Sequence, residues 1–458
     1  MTMDMKKIYK KLVIGGCWML ALGLYSCSSD SYPGLVYEQE ENEGASNQES
    51  LDRDPILLFT KNPFYINVKS TRATGAYDPT EWYDQEMWRN HTFRVYAFRE
   101  RREDNPPLNY EPLLNRLWKD DIENSDCLID GSVNNSAFKQ GIEVRVNNVD
   151  YGIQGLEQIV KKEDGREVSI PLYYGTTHQQ TGYNFFMFRI DDDYDYEKNL
   201  HRDQDKVYYS LELDGGQDLM CGVSSKLTMQ DVKDKLQYTN EDLTGNVLAD
   251  VQNILDFGYS AYSAHRGIHP TVPVKHCLAR LKFMAYAGDE SANTMVIDAI
   301  KVEARYKAKF VVASRNVEEV GLTVAEERKP LKLGQREGGV MVPIHDIKVF
   351  YDKNLDDGTA TAWQNQEALP VGESLLLAED KEYLMTIEYT EQLDVGNGKT
   401  EARKHHSQHT IKLNEGFKAG YQYLINVVVY GSERIQVFAD IQGWEQGGDV
   451  DVDMSEWQ

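Results

Sequence analysis

Apolar and polar residues alternate along most of the chain from residue 55 onward, which is the period-2 pattern of β-strands. Long, turn-rich segments separate the runs, and only residues 229–256 carry apolar positions at helical spacing, with a break at Gly245. This density of strands predicts an all-β protein built from β-sandwich domains, with few short helices. The predicted strands cover residues 92–98, 183–190, 207–213, 274–286, 295–302, 310–313, 383–389, 409–413, 421–430 and 434–441.

A segment containing Gly, Ser and Pro, residues 257–273, interrupts the strand pattern near the middle of the chain. Such residues mark loops and domain boundaries. We therefore predict two β-sandwich domains in tandem, residues 73–265 and 266–458. The length of 458 residues suits two or more domains, and the 28 tyrosines favour β structure.

The earliest predicted strand, residues 55–72, precedes the first domain. Phe64, Ile66 and Val68 alternate with polar residues, and the sequence VKSTRATG then places Arg72 and Ala73 among small residues. Small flanking residues allow an extended loop to enter a protease cleft. One interpretation is a propeptide strand that leaves after cleavage between Arg72 and Ala73. The other is a permanent first strand followed by an exposed turn.

The N-terminus has the pattern of an export signal. Four lysines precede an apolar run at residues 12–24, which is the length of a signal core and too short to span a bilayer. The following Leu24-Tyr25-Ser26-Cys27 resembles a bacterial lipobox. We predict that residues 1–26 are a lipoprotein signal peptide and that Cys27 carries the lipid. Ordinary secretion with cleavage elsewhere is the alternative.

Residues 27–54 are polar and acidic, and they predict a flexible tether between the lipid and the folded body. The whole chain carries a formal net charge of −25. Nucleic-acid binding is disfavoured because phosphate contacts need clustered Lys and Arg. The acidity fits a solvated, exposed surface better.

The chain lacks the common catalytic signatures GxSxG, HExxH, GxGxxG and the P-loop. His405 and His409 have the spacing of one strand face, but a solvated polar strand explains them better than a metal site. The acidic run 191–197 has Tyr196 where a calcium loop requires Gly, so it predicts a turn that caps a strand. We predict a protein that is not an enzyme and holds no cofactor or metal.

Three cysteines remain once Cys17 leaves with the signal and Cys27 takes the lipid: Cys127, Cys221 and Cys277. An odd number allows at most one disulfide. The sequence alone does not select a pair.

Four features together resemble the fimbrillin-like family, the subunits of type V pili of Gram-negative gut and oral bacteria. They are the lipobox at Cys27, the segment TRATG with the later strand Val95–Phe98, the strand KHCLARLKF at Lys275–Phe283, and the closing strands with a tryptophan at Phe417–Trp444. They occur in order from end to end of the chain. Residues 99–182 match no family pattern.

The resemblance implies a specific fold and a specific order of export, cleavage and assembly. Family members have two transthyretin-like β-sandwich domains and are exported as outer-membrane lipoproteins. An arginine-specific protease cuts beyond the first strand, here after Arg72, and the departing strand would take Phe64, Ile66 and Val68 with it. A C-terminal strand of another fimbrial subunit then fills the groove, and the resulting cell-surface fimbrium serves cell adhesion.

The donor strand would come from residues 433–456. Its alternating apolar positions are Ile435, Val437, Ala439 and Ile441, followed by a second set at Val450 and Val452. The plainer interpretation is that these residues form permanent last strands of their own domain. For the whole protein, the alternative to a structural or tip subunit is a non-polymerising surface lipoprotein that acts as a fimbrial anchor or a glycan-binding module. A host or bacterial surface receptor would be a further partner.

Overall fold

The computed structural model of the chain describes most residues between 55 and 442. The described residues are 55–61, 92–100, 140–150, 153–162, 165–170, 172–174, 180, 182–191, 194–203, 206–337, 340–396, 399–432 and 434–442.

Strands dominate these residues, and the three α-helices among them are short. The strands are β1 Pro55–Ile56, β2 Leu58–Lys61, β3 Thr92–Arg99, β4 Ile142–Asp150, β5 Ile153–Lys161, β6 Glu167–Ile170, β7 Leu172–Tyr173, β8 Tyr183–Arg189, β9 Leu200–Arg202, β10 Lys206–Glu212, β11 Met220–Val223, β12 Lys275–His276, β13 Ala279–Ala287, β14 Met295–Arg305, β15 Lys307–Ser314, β16 Gly321–Val324, β17 Arg328–Lys332, β18 Gly334–Glu337, β19 Val340–Pro343, β20 Leu369–Leu377, β21 Asp380–Asp394, β22 Thr400–Phe417, β23 Gln422–Val429 and β24 Ile435–Gln442. The helices are α1 Met229–Leu236, α2 Gly245–Phe257 and α3 Ala261–Ala264. The predicted all-β sandwich fold with few short helices is confirmed.

Four larger sheets organise the strands. Sheet I has the order β12-β11-β8-β3-β4-β5-β2, with β6 also paired to β5, and sheet II has the order β16-β15-β10-β9. Sheet III has the order β20-β13-β23-β24, and sheet IV has the order β17-β14-β21-β22. The pairs β1-β7 and β18-β19 stand apart from these sheets. Neighbouring strands are antiparallel except for β13 and β23, which run parallel.

Strand β8 shows how the sequence reflects burial on both faces of sheet I. Its sequence YNFFMFR is almost continuously apolar, where a strand with one wet face would alternate. Phe185 and Met187 belong to the core beneath the helices, whereas Phe186 and Phe188 belong to the core shared with sheet II. Sheet I is therefore covered on both sides, by helices on one and by sheet II on the other.

The predicted helical stretch forms two helices with a break between them. Thr228 and Asp231 make a capping box at the start of α1, in which each side chain accepts from the other residue's backbone N–H. Gln237 ends α1 in the left-handed conformation with φ of 58°, and α2 begins at Gly245. Val251 and Ile254 of α2 are fully buried against sheet I.

Sheet II combines strands that are far apart in the sequence. Strand β10 pairs with β15 from Lys206↔Ser314 to Glu212↔Lys307, and β16 extends the sheet beyond β15. The hairpin β15–β16 thus completes the second layer of a sandwich whose first layer consists mainly of earlier strands. Sheets III and IV enclose a separate core that includes Phe283, Tyr383 and Tyr423.

Candidate strand-exchange site

Strand β2 is paired along both of its edges. On one side β2 forms an antiparallel ladder with β5, from Leu58↔Leu156 to Lys61↔Ile153. On the other side the Phe59 N–H donates to the Pro270 carbonyl at 3.0 Å, and the Val272 N–H donates to the Phe59 carbonyl at 2.7 Å. The strand therefore lies in a slot between β5 and residues 270–272, which we call the first-strand slot.

The inner side chains of this segment are part of the protein core. Ile56 and Leu58 are 2% and 1% exposed and pack within the cluster beneath the helices. That cluster also contains Ile254 of α2 and Val272 of the slot wall. Burial of each aliphatic side chain contributes about 1.5–3 kcal/mol. Side-chain burial and backbone hydrogen bonds along both edges hold the segment in the slot.

The outer side of the strand is covered by a neutral aromatic contact. The Phe59 ring lies 6.0 Å from the His269 ring, and the Lys235 ammonium lies 5.9 Å from the Phe59 ring centre. Burial, and to a smaller extent the positive charge of Lys235, lowers the pKa of His269 to about 4. His269 is consequently uncharged at neutral pH and presents a neutral ring to the strand.

Removal of the strand would leave a surface suited to another strand. Backbone N–H and C=O groups of β5 and of residues 270–272 would lose their partners, and the core positions of Ile56 and Leu58 would be empty. Unpaired sheet edges accept extended peptides, whose alternate side chains enter the space beneath. The first-strand slot thus has both elements that strand addition requires.

Truncation of Leu58 tests how much the slot depends on the occupant's side chains. We expect Leu58→Ala to lower the free energy of unfolding of the uncleaved chain by about 2–5 kcal/mol, because it removes a fully buried side chain and leaves a cavity. Leu57→Ala is the matched control, since its side chain is only half-buried. Urea unfolding monitored by tryptophan fluorescence measures both variants. Equal destabilisation would contradict the placement of Leu58.

Several residues predicted from the sequence to act in assembly lie outside the described residues. They are the predicted leaving-strand residues Phe64, Ile66 and Val68, the predicted cleavage pair Arg72 and Ala73, the predicted lipidation site Cys27, and the predicted donor residues Val450 and Val452. Sequence reasoning missed Ile56 and Leu58 as core residues. The run Ile-Leu-Leu-Phe at 56–59 is apolar at every position, so alternation could not show which side chains point inward.

The predicted donor residues 435–441 lie in β24, at the edge of sheet III. All eight residues of β24 pair with β23, from Gln422↔Gln442 to Val429↔Ile435. Ile435 is buried in the core between sheets III and IV, and Val437 and Ala439 pack against it. On the outer face Phe438 is 41% exposed and stacks on Trp363 at 5.3 Å between ring centres. Ile441 stands opposite Tyr423 in the ladder.

The polar residues of the KHCLARLKF segment make hydrogen bonds within sheet I and within sheet III. His276 Nδ1 lies 2.7 Å from Asp218 Oδ1, and Arg280 Nε donates to Ser374 Oγ at 2.9 Å. Burial would raise the pKa of Asp218, but the opposing effects of His276 and of the nearby arginines Arg189 and Arg280 outweigh it and hold that pKa below its usual value. These side chains form a buried polar network.

The other polar clusters have structural roles in the described part of the chain. Tyr196 is buried at the end of β8, where its hydroxyl accepts from the Ile190 N–H at 3.1 Å and donates to the Asp191 carbonyl at 3.1 Å. His405 contacts Glu391 at 3.2 Å and His409 contacts Ser407 at 3.0 Å, both along β21–β22. Burial lowers the pKa of His409. Within the described ranges, no three His, Cys, Asp or Glu side chains converge as metal ligands would.

Among the described residues, no helix has the length and apolar character needed to cross a bilayer.

Comparisons with known proteins reveal similarity at the level of structure. No family model and no curated protein sequence matches the chain. Among solved structures, a "putative cell adhesion protein" of Bacteroides uniformis has a TM-score of 0.39 at 9% identity, covering 86% of this chain and 99% of its own. A fimbrial protein of Bacteroides vulgatus has a TM-score of 0.36 at 12% identity, covering 66% and 87%. The fimbrial anchor protein Mfa2 of Porphyromonas gingivalis has a TM-score of 0.27 at 11% identity, covering 85% of this chain and 98% of its own. No residue role is transferred from these proteins.

Proposed function

We propose that this chain is a fimbrial subunit that is exported as a lipoprotein, matured by cleavage after Arg72 and assembled by strand exchange. One observation carries the proposal. The segment 55–61 fills a slot in the core of the folded body, and Arg72 lies between this segment and β3, the next described strand. Cleavage after Arg72 therefore separates the slot's occupant from the rest of the chain.

The physical consequence of cleavage is a switch from monomer to polymer. Before cleavage the chain's own segment 55–61 fills the slot and pairs with its backbone groups, so the precursor has no unpaired strand edge there. After the strand departs, a donor strand from a second subunit can restore the lost backbone hydrogen bonds and fill the core positions of Ile56 and Leu58. Each added subunit presents a new slot, and this head-to-tail contact generates a filament.

The position of the lipid fits this sequence of events. Cys27 precedes the segment 55–61 along the chain, so cleavage after Arg72 separates the body from the predicted anchor at the same step. The proposed partners are therefore the outer membrane before cleavage, an arginine-specific protease, and other fimbrial subunits afterwards. The assembled fimbrium would present the subunits at the cell surface for adhesion to a host or bacterial receptor.

Cleavage of the purified lipoprotein in vitro tests the proposal. We expect an arginine-specific protease to produce a body that begins at Ala73 and forms a ladder on a gel run without boiling. Boiling should collapse the ladder to one band, because the subunits are joined by strand pairing alone. N-terminal sequencing identifies the cut bond. A body that begins at Ala73 and stays monomeric would contradict polymerisation and favour an anchor or a glycan-binding surface lipoprotein.

A further inference from the structure

Two cysteine thiols meet where β11 pairs with β12. The ladder aligns Met220 with His276, and the Cys277 N–H continues it by donating to the Leu219 carbonyl at 2.8 Å. Because residues two apart in a strand share a face, Cys221 and Cys277 project to the same side as diagonal neighbours. Their Sγ atoms are 3.3 Å apart. A disulfide bond is about 2.0 Å long, so the sulfurs need to approach by little more than about 1 Å.

Both thiols lie inside the core between sheets I and II. Cys221 is 1% exposed and Cys277 is 7% exposed. The hydrogen bond with Cys221 and the burial of the side chain raise the pKa of the Cys277 thiol well above its usual value. Thiolate is the reactive form, so Cys277 in the folded chain is poorly suited to nucleophilic chemistry, and Cys221 is buried away from solvent thiols. The geometry points to a structural bond made as the chain folds.

We propose that Cys221 and Cys277 are joined by a disulfide bond in the exported protein. The oxidant is the disulfide of a periplasmic thiol oxidase, and the bond forms by two exchange steps during folding. The thiolate of one cysteine attacks the oxidant's disulfide, forms a mixed disulfide and expels one oxidant thiolate. The second cysteine's thiolate then attacks the mixed disulfide at the first cysteine's sulfur and expels the other. The two cysteines lose two electrons and two protons, and the oxidant's disulfide gains them as two thiols.

The position of this bond gives it a clear structural effect. It closes a loop over residues 222–276, which contains α1, α2, α3 and the slot wall at Pro270–Val272. A cross-link between distant residues reduces the conformational freedom of the unfolded chain and so stabilises the folded one. This further consequence rests on the proposed function: the bond would hold the slot wall in place while the slot is unoccupied. The bond itself rests only on export to the periplasm and not on cleavage or strand exchange.

Peptide mapping of the full chain, exported to the periplasm with its own signal, tests the bond directly. The protein is denatured, its thiols are alkylated without reduction, and it is then digested with trypsin. We expect peptide Val207–Lys226, which contains Cys221, to be linked to peptide His276–Arg280, which contains Cys277. Reduction should release the two peptides. Alkylation of both cysteines before reduction, or linkage of either one to Cys127, would overturn the proposal.

A stability measurement provides a second test that does not depend on export. The wild-type chain is refolded with oxidised glutathione or with reductant, and its melting temperature is measured in each case. We expect the oxidised form to melt higher by about 5 °C or more. The double variant Cys221→Ala/Cys277→Ala should show no such difference, whereas Cys127→Ala should retain it. Loss of the difference in Cys127→Ala would overturn the pairing.

Discussion

Replacing Arg72 with glutamine is expected to abolish fimbrial ladders of this protein at the cell surface. Glutamine keeps the length and polarity of the side chain but removes the charge that an arginine-specific protease requires. Segment 55–61 would then stay covalently joined to the body and keep its place between β5 and residues 270–272. The protein should accumulate as an uncleaved, lipid-anchored monomer, which an immunoblot of unboiled outer membranes detects.

Arg53→Gln is the matched control for this variant. Arg53 precedes the slot occupant, so cleavage there would leave segment 55–61 attached to the body. We expect Arg53→Gln to form ladders as the wild type does. The melting temperatures of both uncleaved proteins should match that of the wild-type precursor, which separates a processing defect from misfolding. Ladders of normal length from Arg72→Gln would disprove cleavage after Arg72 as the switch.

Introducing aspartate at both Val450 and Val452 is expected to stop polymerisation while leaving cleavage intact. A donor strand places alternate side chains in the core positions that Ile56 and Leu58 occupy before cleavage. A carboxylate buried there without a partner is strongly unfavourable. The double variant should therefore yield a cleaved body that begins at Ala73 and runs as a monomer on the unboiled gel.

The control for the donor is the pair Asp449→Asn and Asp451→Asn, which changes charge at the alternate, polar positions of the same segment. This double variant should polymerise normally.

The choice of residues 449–452 over 435–441 has a physical basis. Strand β24 would have to give up eight residues of pairing with β23 and the burial of Ile435 before it could act as a donor. Normal ladders from Val450→Asp/Val452→Asp would contradict a donor at residues 449–452 and indicate that β24 is the donor.

The two experiments act on opposite ends of one contact. Arg72→Gln keeps the slot closed, whereas the aspartates at 450 and 452 remove the means to fill an open slot. Mixing each variant with cleaved wild-type subunits distinguishes the two defects further. A cleaved Val450→Asp/Val452→Asp body should still accept the donor of a wild-type subunit and so cap a growing chain, while the uncleaved Arg72→Gln protein should not.

Local pattern was sufficient for strands such as β3, β8 and β23, because a strand's periodicity depends on its own residues and on which of its faces are buried. The all-β class and the interruption of the helical stretch between α1 and α2 follow from such local signals. The predicted export signal, the negative net charge and the position of Arg72 before β3 are also properties of the linear chain.

Only the tertiary structure decided which distant segments meet. Continuous apolar runs such as residues 56–59 carry no information on which side chains face inward, and the pairing of β2 with β5 and with residues 270–272 settled it. The sequence likewise left three cysteines without a preferred pair, and the β11–β12 ladder brought Cys221 to Cys277. Strand pairing joins segments through backbone groups that every residue shares, so the choice of partner comes from the packing of the whole core.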